Sequence, residues 1–128
     1  MVKTKLKPVL PTLREKKRYV VFEVISKGKI SDFEKVSDAV CLSTIRFVGE
    51  LGAARAGVIV LGNKWDEQTQ RGIIKVIHKH VDAVKASFVF IDKIDGKDAI
   101  VRSLGVSGIL RKAENNFLKT KENQGGND

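Results

Sequence analysis

Two apolar periodicities alternate along this chain, and their order leaves few folds open. Short runs rich in β-branched and aromatic residues predict strands, whereas apolar residues spaced three or four apart predict helices. The first helix is expected to end at Gly52, unless a second helix begins near Ser37 and Asp38. Strands are predicted at residues 19–25, 56–61, 72–78 and 99–106, and helices at residues 33–51, 79–90 and 107–119.

The resulting order, β-α-β-β-α-β-α, indicates an α+β protein with a split βαβ, that is, a ferredoxin-like or RRM-like arrangement, and an extra C-terminal helix. The expected architecture is a four-stranded antiparallel sheet with two helical layers packed on one face. A length of 128 residues favours a single domain. We place this α/β domain at residues 18–120, between a basic N-terminal arm at residues 1–17 and a disordered tail at residues 121–128.

Alternation along the strands predicts the character of each sheet face. Val20, Phe22 and Val24 form a wholly apolar set that should face the helices. The other face mixes a few charges with much apolar area, so either the last helix or another protein is expected to cover it. The residues predicted to contact a partner protein there are Tyr19, Val21, Glu23, Ile25, Ile73, Lys75, Ile77 and Arg102.

The charge of the chain points to a polyanionic partner. There are 24 Lys and Arg residues against 15 Asp and Glu residues, which gives a net charge of +9. A small domain this basic favours RNA, DNA or an acidic membrane surface. We interpret the N-terminal cations as RNA-binding, the alternative being a solubilising leader. These cations are Lys3, Lys5, Lys7, Arg14, Lys16, Lys17 and Arg18.

A second candidate RNA site lies at the turn from the fourth strand into the last helix. Ser107 or Gly108 is expected to open that helix, and Arg111 and Lys112 follow one turn in. Exposed N–H groups at a helix start attract phosphate, and the two cations would add charge there. The alternative is an ordinary strand-to-helix turn that Ser107 caps.

No catalytic constellation is visible in the sequence. Cys41 is the single cysteine, which excludes a disulfide framework, and His78 and His80 lack a third metal ligand at a recognisable spacing. Trp65 could contact a partner or fold back over the core. No apolar run reaches the roughly 18–20 residues that a membrane span needs. We expect a protein without a membrane partner in the cytoplasm, or in the nucleus if the source has one.

Three stretches of the sequence resemble a known family. They are residues 10–19 (LPTLREKKRY), residues 49–54 (GELGAA) and residues 104–112 (LGVSGILRK). With this strand order, they are similar to the archaeal ribonuclease P protein component 2 family, which is related to the eukaryotic Pop-type subunit of ribonuclease P and ribonuclease MRP. The resemblance spans residues 10–118.

This resemblance implies a protein subunit of the ribonucleoprotein that removes the 5′ leader from precursor tRNA. The ribonuclease P RNA would carry the chemistry with Mg²⁺, and this chain would bind no cofactor. The implied partners are that RNA, ribonuclease P protein component 3 and the other protein subunits. Two other classes stay open on the residues alone: a general or ribosome-associated RNA-binding protein without a dedicated protein partner, and a small ferredoxin-like enzyme.

Overall fold

Five strands and three helices alternate along residues 15–118, the part of the chain that the computed structural model describes. The secondary structure also includes a π-helical turn at Glu114–Leu118 and three single 3₁₀ turns, at Gly62–Lys64, His78–His80 and Phe88–Phe90. The elements in chain order are β1 (Lys17–Ser26), α1 (Phe33–Ala56), β2 (Ile59–Val60), β3 (Arg71–Ile77), α2 (Val81–Ser87), β4 (Lys93–Ile94), β5 (Lys97–Ser107) and α3 (Leu110–Ala113).

All five strands form one antiparallel sheet in the order β2-β3-β1-β5-β4. The mixed α/β class is confirmed, but the sheet has one strand more than the predicted four. The additional strand is β4, whose two residues are too few to show a period of two. It is joined to β5 through Asp95 (φ 54°) and Gly96 (φ 77°), and positive φ at both positions is typical of a type I′ hairpin turn.

One irregularity interrupts the pairing of β1 with β5. Val21 faces Gly105, whereas Phe22 faces Ser103, so Leu104 is an extra residue in β5. Such a β-bulge bends a strand and increases its twist. Here the bulge allows Leu104 to pack among the apolar side chains on the sheet face opposite to α1 and α2.

The main core lies between the sheet and the helices α1 and α2. Val20, Phe22 and Val24 of β1 are buried there, as their alternation predicts. Trp65, in the loop between β2 and β3, stacks on Phe22 with ring centroids 6.1 Å apart. Of the two interpretations of Trp65, the structure therefore supports the one in which it folds back over the core.

Helix α1 is longer than predicted and is broken near its end. Asp32 caps its start, because the Asp32 side chain accepts a hydrogen bond from the N–H of Glu34 at 3.0 Å. Gly49 departs from helical geometry at φ 80° and ψ 171°, and the helix ends only at its left-handed C-cap, Gly57. The predicted end at Gly52 is therefore wrong, and the predicted second strand shortens to β2.

The segment at residues 110–118, here called the C-terminal cover, packs on the second face of the sheet. Its Ala113 and Phe117 contact the cluster that contains Val21 and Ile73. A Cβ at Gly105 would collide with the Phe117 ring, so glycine is what lets the ring approach the strand. The predicted helix at residues 107–119 is too long, because β5 continues to Ser107 and α3 has four residues.

Candidate nucleic-acid and protein interfaces

The start of β1 and the end of β5 lie side by side and bring predicted RNA-binding residues to one end of the sheet. Tyr19 faces Ser107 across the two strands. The Arg18 guanidinium lies beside Gly108, where an added Cβ would be 3.2 Å from Arg18 Nη1. We call this group the basic edge, and it consists of Lys16, Lys17, Arg18, Ser107, Gly108, Arg111 and Lys112. The predicted contacts Lys3, Lys5, Lys7 and Arg14 lie outside the described residues.

The turn after β5, at Ser107 and Gly108, does not open a helix directly as predicted. The Ser107 Oγ accepts a hydrogen bond from the N–H of Ile109 at 3.1 Å, which makes a local serine turn. Helix α3 then starts after Ile109, whose side chain makes no capping hydrogen bond. Because α3 has only four residues, its macrodipole is small and its N–H groups attract an anion weakly. An anion at this turn would therefore be bound by the charges of Arg111 and Lys112, both of which are exposed.

Two contacts fix the basic edge to the end of β3. The N–H of His78 donates to the Lys16 carbonyl at 2.9 Å. The Glu15 carboxylate pairs with the Lys79 ammonium at 3.0 Å, and this hydrogen bond lowers the pKa of Glu15 below its ordinary value. These contacts hold the backbone that carries Lys16 against the end of β3.

The side chains that could suggest metal or thiol chemistry do not assemble into a site. Within residues 15–118, no three His, Cys, Asp or Glu side chains lie close enough together to hold a metal ion, His78 and His80 included. Burial raises the pKa of the half-buried Cys41 thiol and so disfavours the reactive thiolate. No helix in this part of the chain has the length and apolarity needed to cross a membrane.

The predicted protein-binding face is divided into a covered and an uncovered part. Val21 and Ile73 are fully buried against the C-terminal cover, and Ile77 is also buried. Tyr19, Glu23 and Lys75 are half-buried, whereas Ile25 and Arg102 are exposed. In the uncovered part, Ile25 faces Ile100 of β5, which is also exposed.

An ion network across three strands separates the two parts. Glu23 accepts from Arg102 Nε at 2.9 Å on one side and from Arg71 Nε at 3.4 Å on the other. The buried Arg71 also donates through Nη1 to the Phe117 carbonyl at 2.8 Å, which ties the C-terminal cover to β3. Sequence reasoning missed Arg71. The signal was the antiparallel register, which places Arg71 directly opposite Glu23.

A second apolar surface, which the sequence analysis did not identify, lies on the helical side. Leu42 and Phe47 of α1 are exposed, as are Val89 and Phe90 after α2. The helical spacing in residues 33–51 predicts a helix but does not tell which of its apolar residues are covered. The structure leaves several of them on the outside of α1.

The described residues thus form a small antiparallel α/β protein whose surface is cationic at one end and apolar on its helices. The model of the Rpp14/Pop5 family of ribonuclease P proteins matches residues 18–118, which is more than half of the chain. The chain belongs to the Rpp14/Pop5 family. The family that the sequence motifs resemble is therefore confirmed.

Individual relatives are similar to this chain in sequence over most of their lengths. Ribonuclease P protein component 2 of Pyrococcus furiosus is 39% identical, over 88% of this chain and 91% of the relative. The protein of the same name from Methanosarcina barkeri is 36% identical, over 89% of this chain and 81% of the relative. A chain in the cryo-EM structure of yeast ribonuclease MRP has a similar fold, with a TM-score of 0.56, 18% identity and coverage of 89% of this chain and 94% of that one.

Proposed function

We propose that this chain, as a ribonuclease P protein subunit, binds the ribonuclease P RNA through its basic edge and holds that RNA together with a second protein. The holoenzyme is an endonuclease that hydrolyses precursor tRNA at the 5′ leader. The RNA supplies the chemistry with Mg²⁺, and this chain binds no cofactor of its own. We place the complex in the cytoplasm. The observation that carries the proposal is the convergence of Arg18 with the turn at Gly108 in a member of this family.

The basic edge has the chemistry of a phosphate-backbone contact. Lys16, Arg111 and Lys112 are exposed, and Arg18 presents a guanidinium beside a glycine that leaves room for close approach. Clustered cations bind nucleic acid mainly by neutralising phosphates and releasing counterions. The N-terminal cations Lys3, Lys5, Lys7 and Arg14 precede this edge in the sequence, and we propose that they extend the same contact.

We propose ribonuclease P protein component 3 as the protein partner, with the other protein subunits completing the assembly. The uncovered part of the second sheet face was the sequence-based choice for this contact, and it keeps Ile25, Ile100 and Arg102 exposed. We also propose that the strands β2, β3, β1 and β5 form the ferredoxin-like part of the sheet. Their order, with the antiparallel pairing of each neighbour, supports this.

The test of the RNA contact is the double variant Arg111→Ala/Lys112→Ala, titrated with the cognate RNA at several salt concentrations. Each lost phosphate contact should lower the slope of log affinity against log salt by about 0.7–0.9. The matched control is Lys27→Ala/Lys35→Ala, which removes two exposed cations away from the basic edge. An unchanged slope in the first variant would exclude α3 from the RNA contact.

Reconstitution distinguishes this function from a general RNA-binding role. Added with the cognate RNA and the other protein subunits, the chain should raise precursor tRNA cleavage at moderate Mg²⁺, and alone it should cleave nothing. Equal affinity for unrelated structured RNAs, without any effect on cleavage, would favour the general RNA-binding protein. Cleavage by the purified chain, abolished by a substitution in it, would overturn the proposal.

A further inference from the structure

The exposed apolar residues of the described chain are concentrated on the helical side of the sheet. Six of the eleven large ones lie there, against two in the uncovered part of the second face, Ile25 and Ile100. Leu42, Leu51 and Val89 are 60%, 66% and 79% exposed, which is far more than a core contact leaves. We call this surface the helical ridge, and it consists of Leu42, Ile45, Phe47, Leu51, Val89 and Phe90.

Two contacts of the Phe90 ring connect α1 with the segment after α2. The Phe47 and Phe90 rings have centroids 5.8 Å apart, and the Arg46 guanidinium lies 5.2 Å from the Phe90 centroid. A groove of about 140 Å³ runs beside them, with Leu42, Arg46 and Phe90 in its wall. The ridge therefore joins α1 to the segment after α2 in one surface.

The break in α1 adds a second hollow next to the ridge. Gly49 turns the last part of α1 away from the helix axis, and a hollow of about 330 Å³ lies between the two halves. Cys41 and Ile45 line it from the first half, and Ala53 and Ala54 from the second. The first hollow has a mixed lining beside the Phe90 ring, and the second is lined mainly by apolar side chains. Such hollows are suited to receive side chains of a partner, because binding energy in protein interfaces concentrates at anchors in pockets.

The charges around the ridge favour a protein over RNA. Arg46 and Lys93 are balanced by Glu50 and Asp92, so the surface lacks the excess of cations that phosphate binding needs. Aromatic residues and Arg are enriched in protein interfaces. Within residues 15–118, the Arg46 guanidinium stacks on Phe90 and pairs with no carboxylate, so its donors are available to one from outside.

We propose that the helical ridge docks an apolar segment of another protein that presents a carboxylate to Arg46. This inference rests on the proposed function, because it names the surface by which the chain meets another subunit. A different protein is favoured, because the proposed function already requires one and because Arg46 pairs with no carboxylate within residues 15–118. The sheet face at Ile25 and Ile100 is then not the main protein contact.

The experiment titrates the full chain with each purified protein subunit of the same ribonuclease P in turn, component 3 first. The variants are Leu42→Ser/Phe47→Ser and, separately, Arg46→Glu. All three side chains are exposed, so circular dichroism should show an intact fold. Each variant should weaken binding of one subunit at least tenfold, since anchors and their charge partners dominate such interfaces. The matched control, Ile109→Thr, changes an exposed apolar residue outside both surfaces and should stay within twofold of the wild type. A further variant, Ile25→Thr/Ile100→Thr, tests the competing contact on the sheet face.

Each other result overturns the proposal in an identifiable way. The docking site is refuted if the ridge variants bind the subunits with wild-type affinity. It is also refuted if the wild-type chain binds none of the subunits. A loss confined to the Ile25/Ile100 variant assigns the contact to the sheet. If the wild-type chain sediments as a dimer and the ridge variants sediment as monomers, the occupant of the ridge is a second copy of the chain. If the ridge variants lose only RNA affinity, the occupant is RNA. Failure of the proposed RNA contact is separate, because it is measured in the Arg111/Lys112 variant.

Discussion

The two faces of the sheet are covered in different ways. The first face packs against α1 and α2 and forms a cluster of fifteen buried residues, with Phe22 at 0% exposure. The second face has a cluster of only three buried apolar residues, Val21, Ile73 and Ala113, beneath a four-residue helix and a π-helical turn. Because burial of apolar area dominates stability, the first face should carry most of the free energy of unfolding.

The second face depends more on individual contacts. The C-terminal cover is attached by the Arg71 hydrogen bond to the Phe117 carbonyl and by an ion pair between Lys64 and Glu114. Small elements with few buried contacts open locally before the rest of a protein unfolds. The first face therefore determines whether the domain folds, while the second determines which sheet residues are accessible.

The largest expected effect comes from replacing a phenylalanine by alanine on each face and comparing the losses of stability. Phe22→Ala should lower the free energy of unfolding by about 3–5 kcal/mol, because it leaves a cavity in the main core. Phe117→Ala should cost about 1–2 kcal/mol, since its ring is only half-buried on the second face. Urea denaturation of both variants measures the two values. Equal losses would contradict the division of stability between the faces.

A second variant should detach the C-terminal cover without unfolding the domain. In Gly105→Val the new side chain takes the place of the Phe117 ring, at a cost of about 1–3 kcal/mol. Hydrogen exchange should accelerate at the Ala113 amide, which donates to the Ile109 carbonyl, while amides of the main sheet keep their protection. Gly108→Ala is the control, because the atoms nearest to its Cβ would belong to the movable Arg18 side chain. Unchanged exchange at Ala113 would show that the cover adapts.

The ion network provides a smaller contrast between its two arginines. Arg71→Met should cost about 1–3 kcal/mol, because it removes the donor to the Phe117 carbonyl from a buried position. Arg102→Met should cost at most about 1 kcal/mol, since Arg102 is exposed. Thermal denaturation of both variants decides the order. A larger loss for Arg102 would mean that the uncovered part of the face matters more than burial indicates.

The smallest effect concerns the Glu15–Lys79 pair at the end of the sheet. The pKa of Glu15 is lower in the folded chain, so the pair stabilises the fold above the unfolded-state pKa and loses this effect as the pH falls through the folded-state pKa. In Lys79→Ala the pKa of Glu15 should return towards its ordinary value. An NMR titration of the Glu15 carboxyl measures this, and Lys85→Ala serves as the control. An unchanged pKa would assign the lowering to other neighbours.

The central part of the fold could be predicted because its signals are local. The first strand was predicted at residues 19–25 and is found at Lys17–Ser26, since alternation and β-branched residues both mark it. The helix start beside Asp32 carries a capping pattern. The end of α1 could not be placed, because Gly52 and Gly57 both suit a stop and only packing decides between them.

The candidate sites were harder to predict, because they depend on which residues meet across the sheet. The cations beside β1 were visible as composition, but the contact of Arg18 with Gly108 requires the pairing of β1 with β5. Arg71 was missed because no local pattern marks an arginine that becomes buried by pairing with Glu23. The exposure of Leu42 and Phe47 was not predicted, because it depends on how α1 packs against the rest of the domain.

The bulge at Leu104 has a consequence for solubility. Beyond its pairing with β4 at Lys97 and Asp98, the outer edge of β5 has no strand partner among the described residues. A long, regular free edge is a template for strand addition and aggregation, and proteins guard such edges with bulges and charged side chains. The kink at Leu104 and the guanidinium of Arg102 make β5 a poor template. This basic protein should therefore join partners through side chains, and two copies should not fuse their sheets into a fibre.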